Sequence, residues 1–379
     1  MRIGIVGAGQ LGRMLALAGY PLGLSFLFLD RTADTPAGAL APSLTGEFTD
    51  PALLTELAER CDVISFDWEN ISVPALRAAV SGAAGRTSPA AASRARVHPP
   101  LTALATAQDR LREKQLFERL GIATTRYRAV SSFAALKRAV RDLGAPGVLK
   151  TRRLGYDGKG QYVIRREEQV DDAWKQLGGV PLLYEEFIPF DLEVSAIGAR
   201  GRDGALALYP LSRNFHADGI LRLTLAPWND AMLTRAAHRA LTRILEAFSY
   251  VGVLAVEFFV RNGRLVANEI APRVHNSGHW TIEGTETSQF ENHLRAIAGL
   301  PLGSTRPRGH AAMINLIGTM PTAAEALAEP GWHLHDYGKS PRPGRKLGHC
   351  TLLESGAAVS RRRARAFLRR IYPQLRLPA

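Results

Sequence analysis

The sequence predicts an α/β chain with more than one core, on three observations. The first 80 residues alternate apolar strands with helical segments. Glycine-rich turns punctuate the chain in two separate places, and its 379 residues exceed what one hydrophobic core sustains. Strands that are apolar along their whole length are buried on both faces, so the opening sheet is expected to be parallel and covered by helices.

The elements follow in order. Residues 1–100 form a Rossmann-like unit: IGIVG, QLGRMLALAGY, LSFLFLD, PALLTELAER, DVISFDWENI and VPALRAAV alternate strand and helix. A stretch rich in Ala, Ser, Pro and Arg (AAGRTSPAAASRARVHPPL) marks the first boundary. Residues 101–303 form the central unit. It opens on a helix, QDRLREKQLFERL, whose pattern Leu111, Gln115, Leu116, Phe117 and Leu120 ends at Gly121. Next come a strand ending in GVLK, a glycine-rich turn, LLYEEFI, DLEVSAIGAR, a long helix from Asp230 to Phe248 and the hairpin AVEFFVRNGRLVANEI. Residues 304–379 form a small α+β unit holding AAMINLIG, YGKSPRPGRKLGH and a last helix.

Composition narrows the function classes. The chain is 46% hydrophobic and 22% charged, without the ~18 consecutive apolar residues that a membrane helix needs. The opening MRIGIVGAGQLGRM is broken by Gly4, Gly7 and Gly9 and reads as strand, turn and helix rather than as a signal peptide, so a cytoplasmic protein is expected. Cys61 and Cys350 stand far apart, arguing against a disulfide framework or structural zinc. The net charge of +13 invites a nucleic-acid reading. However, the densest cluster, Arg361 to Arg370, has helical spacing and no stacking aromatics, so it reads as a solvated helix face, and no nucleic-acid partner is expected.

Three motifs carry chemistry. GAGQLG (7–12) matches G-x-G-x-x-G between a strand and a helix, with Asp30 placed where a ribose-binding acid would sit. That pattern fits a dinucleotide, another phosphorylated ligand, or a plain tight turn. Lys150 ends an apolar strand shortly before GYDGKGQ (155–161), a loop whose amides can close over phosphate oxygens. Glu257 and Glu269 flank Asn262-Gly263, and a carboxylate pair suits magnesium held jointly with nucleotide phosphates. A two-residue turn would send Glu269 to the other face of the sheet. The expectation is therefore a three-residue turn, Arg261-Asn262-Gly263, that pairs Val260 with Arg264 and Glu257 with Ala267. Beyond the hairpin, RVHNSGH (273–279) lacks a helix and the glutamate of an HExxH site, so its Arg273, Asn276 and Ser277 read as donors for a small anion.

Taken together, Arg110 with EKQLF, Lys150, GYDGKGQ, EEFI, Glu257 and NEIAPRVHNSGHW resemble the ATP-grasp superfamily. Within it the match is closest to the 5-(carboxyamino)imidazole ribonucleotide (N5-CAIR) synthase family, and it runs nearly end to end, through HADGILR, SQFENHLRAI, MINLIG and RPGRKLGH. The resemblance implies an ATP-grasp architecture: a Rossmann-like N-terminal domain, a central domain with a mobile lid at about 124–185, and a small C-terminal domain. It implies a carbon–nitrogen ligase of purine biosynthesis that uses ATP, bicarbonate and 5-aminoimidazole ribonucleotide (AIR), by way of carboxyphosphate. Other ATP-grasp purine ligases and, more distantly, a nicotinamide-dependent oxidoreductase are the alternatives.

By the same resemblance, ATP would be held by Arg110, Lys150, Gly155, Tyr156, Asp157, Gly158, Lys159, Gly160, Gln161, Glu185, Glu186, Phe187, Ile188, Glu193, His216, Asn268 and Glu269. Glu257 and Glu269 would hold Mg²⁺, with Mn²⁺ an alternative, and Arg273, Lys150, Asp157 and Asn276 would be catalytic. AIR would meet Gly9, Gln10, Leu11, Glu69, Tyr156, Asp157, Lys159, His275, Lys339, Arg345 and Lys346. A homodimer that hands its product to the N5-CAIR mutase is implied as well. Two departures stand out: DWENI (67–71) replaces an aromatic-Glu-Phe-Glu-Asn-Val pattern, and Leu154 takes a place usually held by glycine, which is expected to stiffen one edge of the lid.

Overall fold

The structure is a computed structural model that describes residues 1–81, 95–155 and 160–375. It opens with a parallel sheet of order β3-β2-β1-β4-β5, built from Arg2–Val6 (β1), Ser25–Asp30 (β2), Ser43–Thr45 (β3), Val63–Phe66 (β4) and Arg96–Val97 (β5). Ile3, Ile5, Val6, Phe28 and Phe66 are fully buried, as strands covered on both faces require. The covering helices begin with Gln10–Gly19 (α1), Pro51–Arg60 (α2) and Val73–Val80 (α3). Asp50 caps α2 by accepting from Ala52 N (2.8 Å) and Leu53 N (3.3 Å), with Pro51 in the first turn.

Leu101–Ala107 (α4) and Arg110–Arg119 (α5) lead into the central unit. α5 buries Leu116 and Phe117 as its apolar pattern requires, but it also buries Glu113 and Lys114 and leaves Gln115 exposed. The charged pair faces inward.

Residues 127–186 build a four-stranded antiparallel sheet, order β6-β9-β7-β8, from Tyr127–Val130 (β6), Gly147–Thr151 (β7), Gln161–Ile164 (β8) and Leu182–Glu186 (β9). Phe133–Leu143 (α6) and Val170–Leu177 (α7) pack on it, so this segment has its own core around Leu136, Val140, Leu149, Leu182 and Tyr184.

The remaining strands form one nine-stranded sheet of antiparallel pairs. They are Leu192–Arg200 (β10), Leu206–Leu208 (β11), Ser212–Ala217 (β12), Ile220–Ala226 (β13), Gly252–Arg261 (β14), Arg264–Ala271 (β15), His310–Ile317 (β16), Trp332–Asp336 (β17) and Lys346–Glu354 (β18). Its order is β15-β14-β10-β12-β13-β16-β18-β17, with β11 alongside β10. The C-terminal strands thus extend the central sheet through the β13–β16 pairing. The helices on it are Ala231–Ala247 (α8), Thr281–Gly284 (α9), Gln289–Ala298 (α10), Ala323–Ala326 (α11) and Ala357–Ile371 (α12).

The hairpin turn differs from the expected one. Arg261 pairs with Arg264, and Asn262 and Gly263 both take positive φ (51° and 69°), which is a two-residue turn of the type Asn-Gly favours. The carboxylates nevertheless share a face, because the register shifts farther along: Phe258 pairs with Ala267 while Glu257 pairs with Glu269. Asn268 is the extra residue of a β-bulge, so two residues of β15 oppose Glu257.

Candidate functional site

The bulged end of β14–β15 is the centre of the site. Arg110, the first residue of α5, places Nη1 3.3 Å from Glu269 Oε2. On the neighbouring strands, His216 Nδ1 of β12 lies 2.9 Å from Glu193 Oε2 of β10. Burial raises Glu257 to about 7, opposed by His216 and reinforced by Glu269 and Glu193. Burial pulls His216 down, but the Glu193 hydrogen bond and the carboxylates of Glu257 and Glu269 outweigh it and favour the imidazolium. Three acids around one histidine suit a hard divalent cation with oxygen ligands, held by Glu257 and Glu269 together with phosphate oxygens.

The four-stranded sheet and α5 supply the opposing cations. Lys150 Nζ on β7 sits 3.1 Å from Glu185 Oε1 on β9, while Glu185 Oε2 meets Lys114 Nζ at 3.2 Å and accepts from Thr125 Oγ1 at 2.8 Å. Burial alone would raise Glu185, but the two ammonium groups and the Thr125 hydroxyl hold it well below the usual carboxylate range. Burial lowers Lys150, with Glu185 opposing. Lys150 pairs with Gln161 across β7–β8, and Thr151 N donates to Gly160 O (2.8 Å), which fixes both ends of the glycine loop. Tyr156, Asp157, Gly158 and Lys159 lie outside the described residues. Leu154, at the loop's edge, has φ 64° and is exposed, so a side chain occupies a left-handed position that glycine would take without strain. Of the run Glu185 to Ile188, Glu186 is engaged by Arg126 (Nε to Oε2, 2.7 Å), Phe187 is partly exposed and Ile188 is buried.

Arg273, just after β15, donates from Nη2 to Glu69 Oε1 at 2.9 Å, which joins two residues far apart in sequence. Its Nε and Asn276 Nδ2 are buried donors without a hydrogen-bond partner among the described residues, which suits a small anion; Asn276 Oδ1, an acceptor, is unpartnered there as well. His275 Nδ1 bonds Ser277 Oγ (2.8 Å) and lies 3.8 Å from Glu257 Oε1; burial, with Arg273 next in weight, holds the ring neutral.

Lys339 donates to Gln10 Oε1, linking the C-terminal strands to the first glycine turn. Burial and the neighbouring Arg345 pull Lys339 down to about 8. Arg345 Nη1 donates to Ser340 O at 3.1 Å, and Lys346 opens β18 on the same segment. These crowded cations fit a phosphate group. Leu11 is buried in the N-terminal core, so its side chain contributes packing, and Gln10 is the member of Gly9–Leu11 that reaches the cationic segment.

The dinucleotide alternative fails at the same turn. Gly9 N (2.7 Å) and Gly12 N (3.1 Å) both donate to Asp67 Oδ2, and Ala8 N donates to Asp30 Oδ2 at 2.6 Å. Two carboxylates of the chain fill the cradle that a pyrophosphate would need, and a side chain at Gly7 would collide with Asp67. Asp67 is the first residue of the departing DWENI segment, and there it keeps a carboxylate in place. Sequence reasoning passed over Asp67, Glu113 and Lys114. The available signals were an acid at the end of a fully buried strand, Val63–Phe66, and a charged pair flanked by the buried side of a helix.

Three family models match the chain: a ribonucleotide synthetase preATP-grasp domain over residues 1–108, an ATP-grasp domain over 115–290, and a phosphoribosylaminoimidazole carboxylase C-terminal domain over 311–363. The N5-carboxyaminoimidazole ribonucleotide synthase of Pseudomonas aeruginosa is 49% identical, with 93% of this chain and 94% of that protein covered. The crystal structure of N5-carboxyaminoimidazole ribonucleotide synthetase from Thermus thermophilus superposes with a TM-score of 0.91 at 50% identity, covering 98% of this chain and 99% of that one. The Aspergillus clavatus enzyme, solved in complex with ADP and 5-aminoimidazole ribonucleotide, superposes at 0.87 with 29% identity and 98% of each chain covered.

Proposed function

The chain belongs to the N5-carboxyaminoimidazole ribonucleotide synthase family, and on that premise we propose that it carboxylates AIR on its exocyclic amine at the expense of ATP. A bicarbonate oxygen attacks the γ-phosphorus, the bond to the β-phosphate oxygen breaks, and ADP leaves carboxyphosphate behind. Carboxyphosphate then gives up its carboxyl carbon to the amine; phosphate departs, and the amine loses a proton.

The observation that carries this reading is the pairing of Glu257 with Glu269 across the bulge, with Arg110 on Glu269 and His216 among the carboxylates, while Lys150 is held by Glu185 on the four-stranded sheet. Mg²⁺ held by Glu257 and Glu269 would neutralise charge on the transferring phosphoryl group. Lys150 and Arg110 add fixed positive charge for the phosphates, and Glu193 with His216 borders the nucleotide. Arg273, oriented by Glu69, binds bicarbonate and carboxyphosphate together with the unpartnered Asn276 amide. Lys339, Arg345 and Lys346 take the phosphate of AIR, beside Gln10. The lid segment, closing with Tyr156, Asp157 and Lys159, excludes the water that would hydrolyse the mixed anhydride. The homodimer and hand-over of product to a mutase remain part of this reading on family grounds.

Steady-state ADP release with each substrate omitted in turn tests it. Release should require both bicarbonate and AIR; release indifferent to AIR would count against the assignment.

A further inference from the structure

β15 is an edge strand, and its bulge is held from the side by α5 and the loop that follows. Lys114 is 1% exposed. Its Nζ lies 3.0 Å from Asn268 O, 3.4 Å from Ala267 O, 3.1 Å from Thr124 Oγ1 and 3.2 Å from Glu185 Oε2. Ala267 O also accepts from Thr124 Oγ1 (2.8 Å), Ala267 N donates to Ala123 O (2.7 Å), and Ile270 N donates to Glu113 Oε1 (2.6 Å). These contacts occupy outward-facing carbonyls and amides on both sides of Glu269, groups that an edge strand otherwise leaves open.

We propose that Lys114, seconded by Glu113, is a positioning residue for the cation site: it pins the bulge that sets Glu269 opposite Glu257, and through Glu185 it ties that register to the lid. An ammonium desolvated this completely persists only where strong acceptors surround it. Here its acceptors belong to two different parts of the site: the carbonyls to the metal-binding strand, the carboxylate to the nucleotide-binding lid. The same side chain therefore makes the geometry of the carboxylate pair depend on the lid's Lys150–Glu185 pair. Residues that orient ligands in this indirect way govern metal affinity without touching the metal.

The inference rests on the ATP-dependent reading above, and two measurements separate them. Turnover by the wild-type enzyme tests that reading. Free Mn²⁺ measured by electron paramagnetic resonance in the presence of ADP, compared with ADP affinity measured in EDTA, tests this one. Lys114→Met should weaken Mn²⁺ binding by roughly 10- to 100-fold while ADP affinity in EDTA changes by less than about 3-fold. Glu113→Leu should weaken Mn²⁺ binding by about 10-fold, and Glu113→Gln, which keeps an acceptor for Ile270 N, should restore most of it. Should Lys114→Met fail to fold, Thr124→Val removes one bulge contact and carries the same comparison. Wild-type Mn²⁺ affinity in the folded variants, or equal losses of Mn²⁺ and metal-free ADP binding, would overturn the proposal.

Discussion

Replacing Glu269 with glutamine removes one charge and keeps the shape. Glu257 and Glu269 are direct partners across the ladder, and side chains so placed stand ~5 Å apart, a repulsion of about 3 kcal/mol at an effective dielectric of 20. Glu269 is 39% exposed, so solvent screening reduces this to about 1–2 kcal/mol. The variant also loses the Arg110 ion pair, a stabilisation of at most ~1 kcal/mol. The two changes nearly cancel, so the metal-free variant should melt within ~2 °C of wild type. Nothing offsets the loss in turnover: removing one electrostatic contributor at a phosphoryl-transfer centre lowers kcat by roughly 10²- to 10³-fold. A coupled assay of ADP release gives the rate, and thermal unfolding with ADP, with and without Mn²⁺, gives the rest. Turnover should fall to about 1% or less, and Mn²⁺ should no longer raise the melting temperature as it does for wild type. Wild-type turnover would refute the metal assignment; a metal-free melting point lower by more than about 5 °C would show that Glu269 is instead a structural residue.

Burial raises Asp67 from its ordinary 3.8 to about 6, so folding takes up a proton between those values. The stability linked to this group is complete below about pH 4 and is lost as pH rises through about 6. The urea-unfolding free energy of wild type, relative to Asp67→Asn, should therefore drop by up to ~3 kcal/mol between about pH 4 and pH 7, and a flat difference would sink the account. Leu154→Gly relieves a left-handed conformation of about 1–2 kcal/mol but loosens the unfolded chain by ~0.4–1 kcal/mol, so unfolding should show a small net gain. Leu154→Val, β-branched at the same φ, should lose about 1 kcal/mol or more in the same measurement. Lys150→Met leaves Lys114 and Thr125 on Glu185, so the fold should hold while the ADP dissociation constant rises about 10-fold or more by calorimetry.

Period and composition exposed what is local in this molecule. The apolar runs of β1, β2 and β4 foretold a parallel sheet because strands buried on both faces have little room for polar residues. GYDGKGQ and the carboxylates of the hairpin stood out because glycine and paired acids are costly without a purpose. The hairpin register was not readable, because it depends on α5, more than 150 residues away: the contacts of Lys114 with Asn268 and of Glu113 with Ile270 span 154 and 157 positions. Asn-Gly followed its own turn preference, and the parity that the acids required came from the bulge. Asp67 was missed for a similar reason, since the amides it satisfies lie 55 and 58 residues upstream. Glu193 and His216 were each foreseen as nucleotide contacts, but their bond to each other, and the charge it gives the imidazole, needed the β10–β12 pairing.

The junction of β13 with β16 has a practical consequence for anyone who cuts this chain at the gap between the matched segments, 290 to 311. Severing it would bare the flank of β13, whose Leu221, Leu223 and Leu225 are buried in the intact molecule, and an open apolar flank recruits other copies of itself. Such a fragment would precipitate before its chemistry could be studied. Gene fusions and split reporters therefore belong at the chain ends, where no hydrogen-bonded ladder is broken.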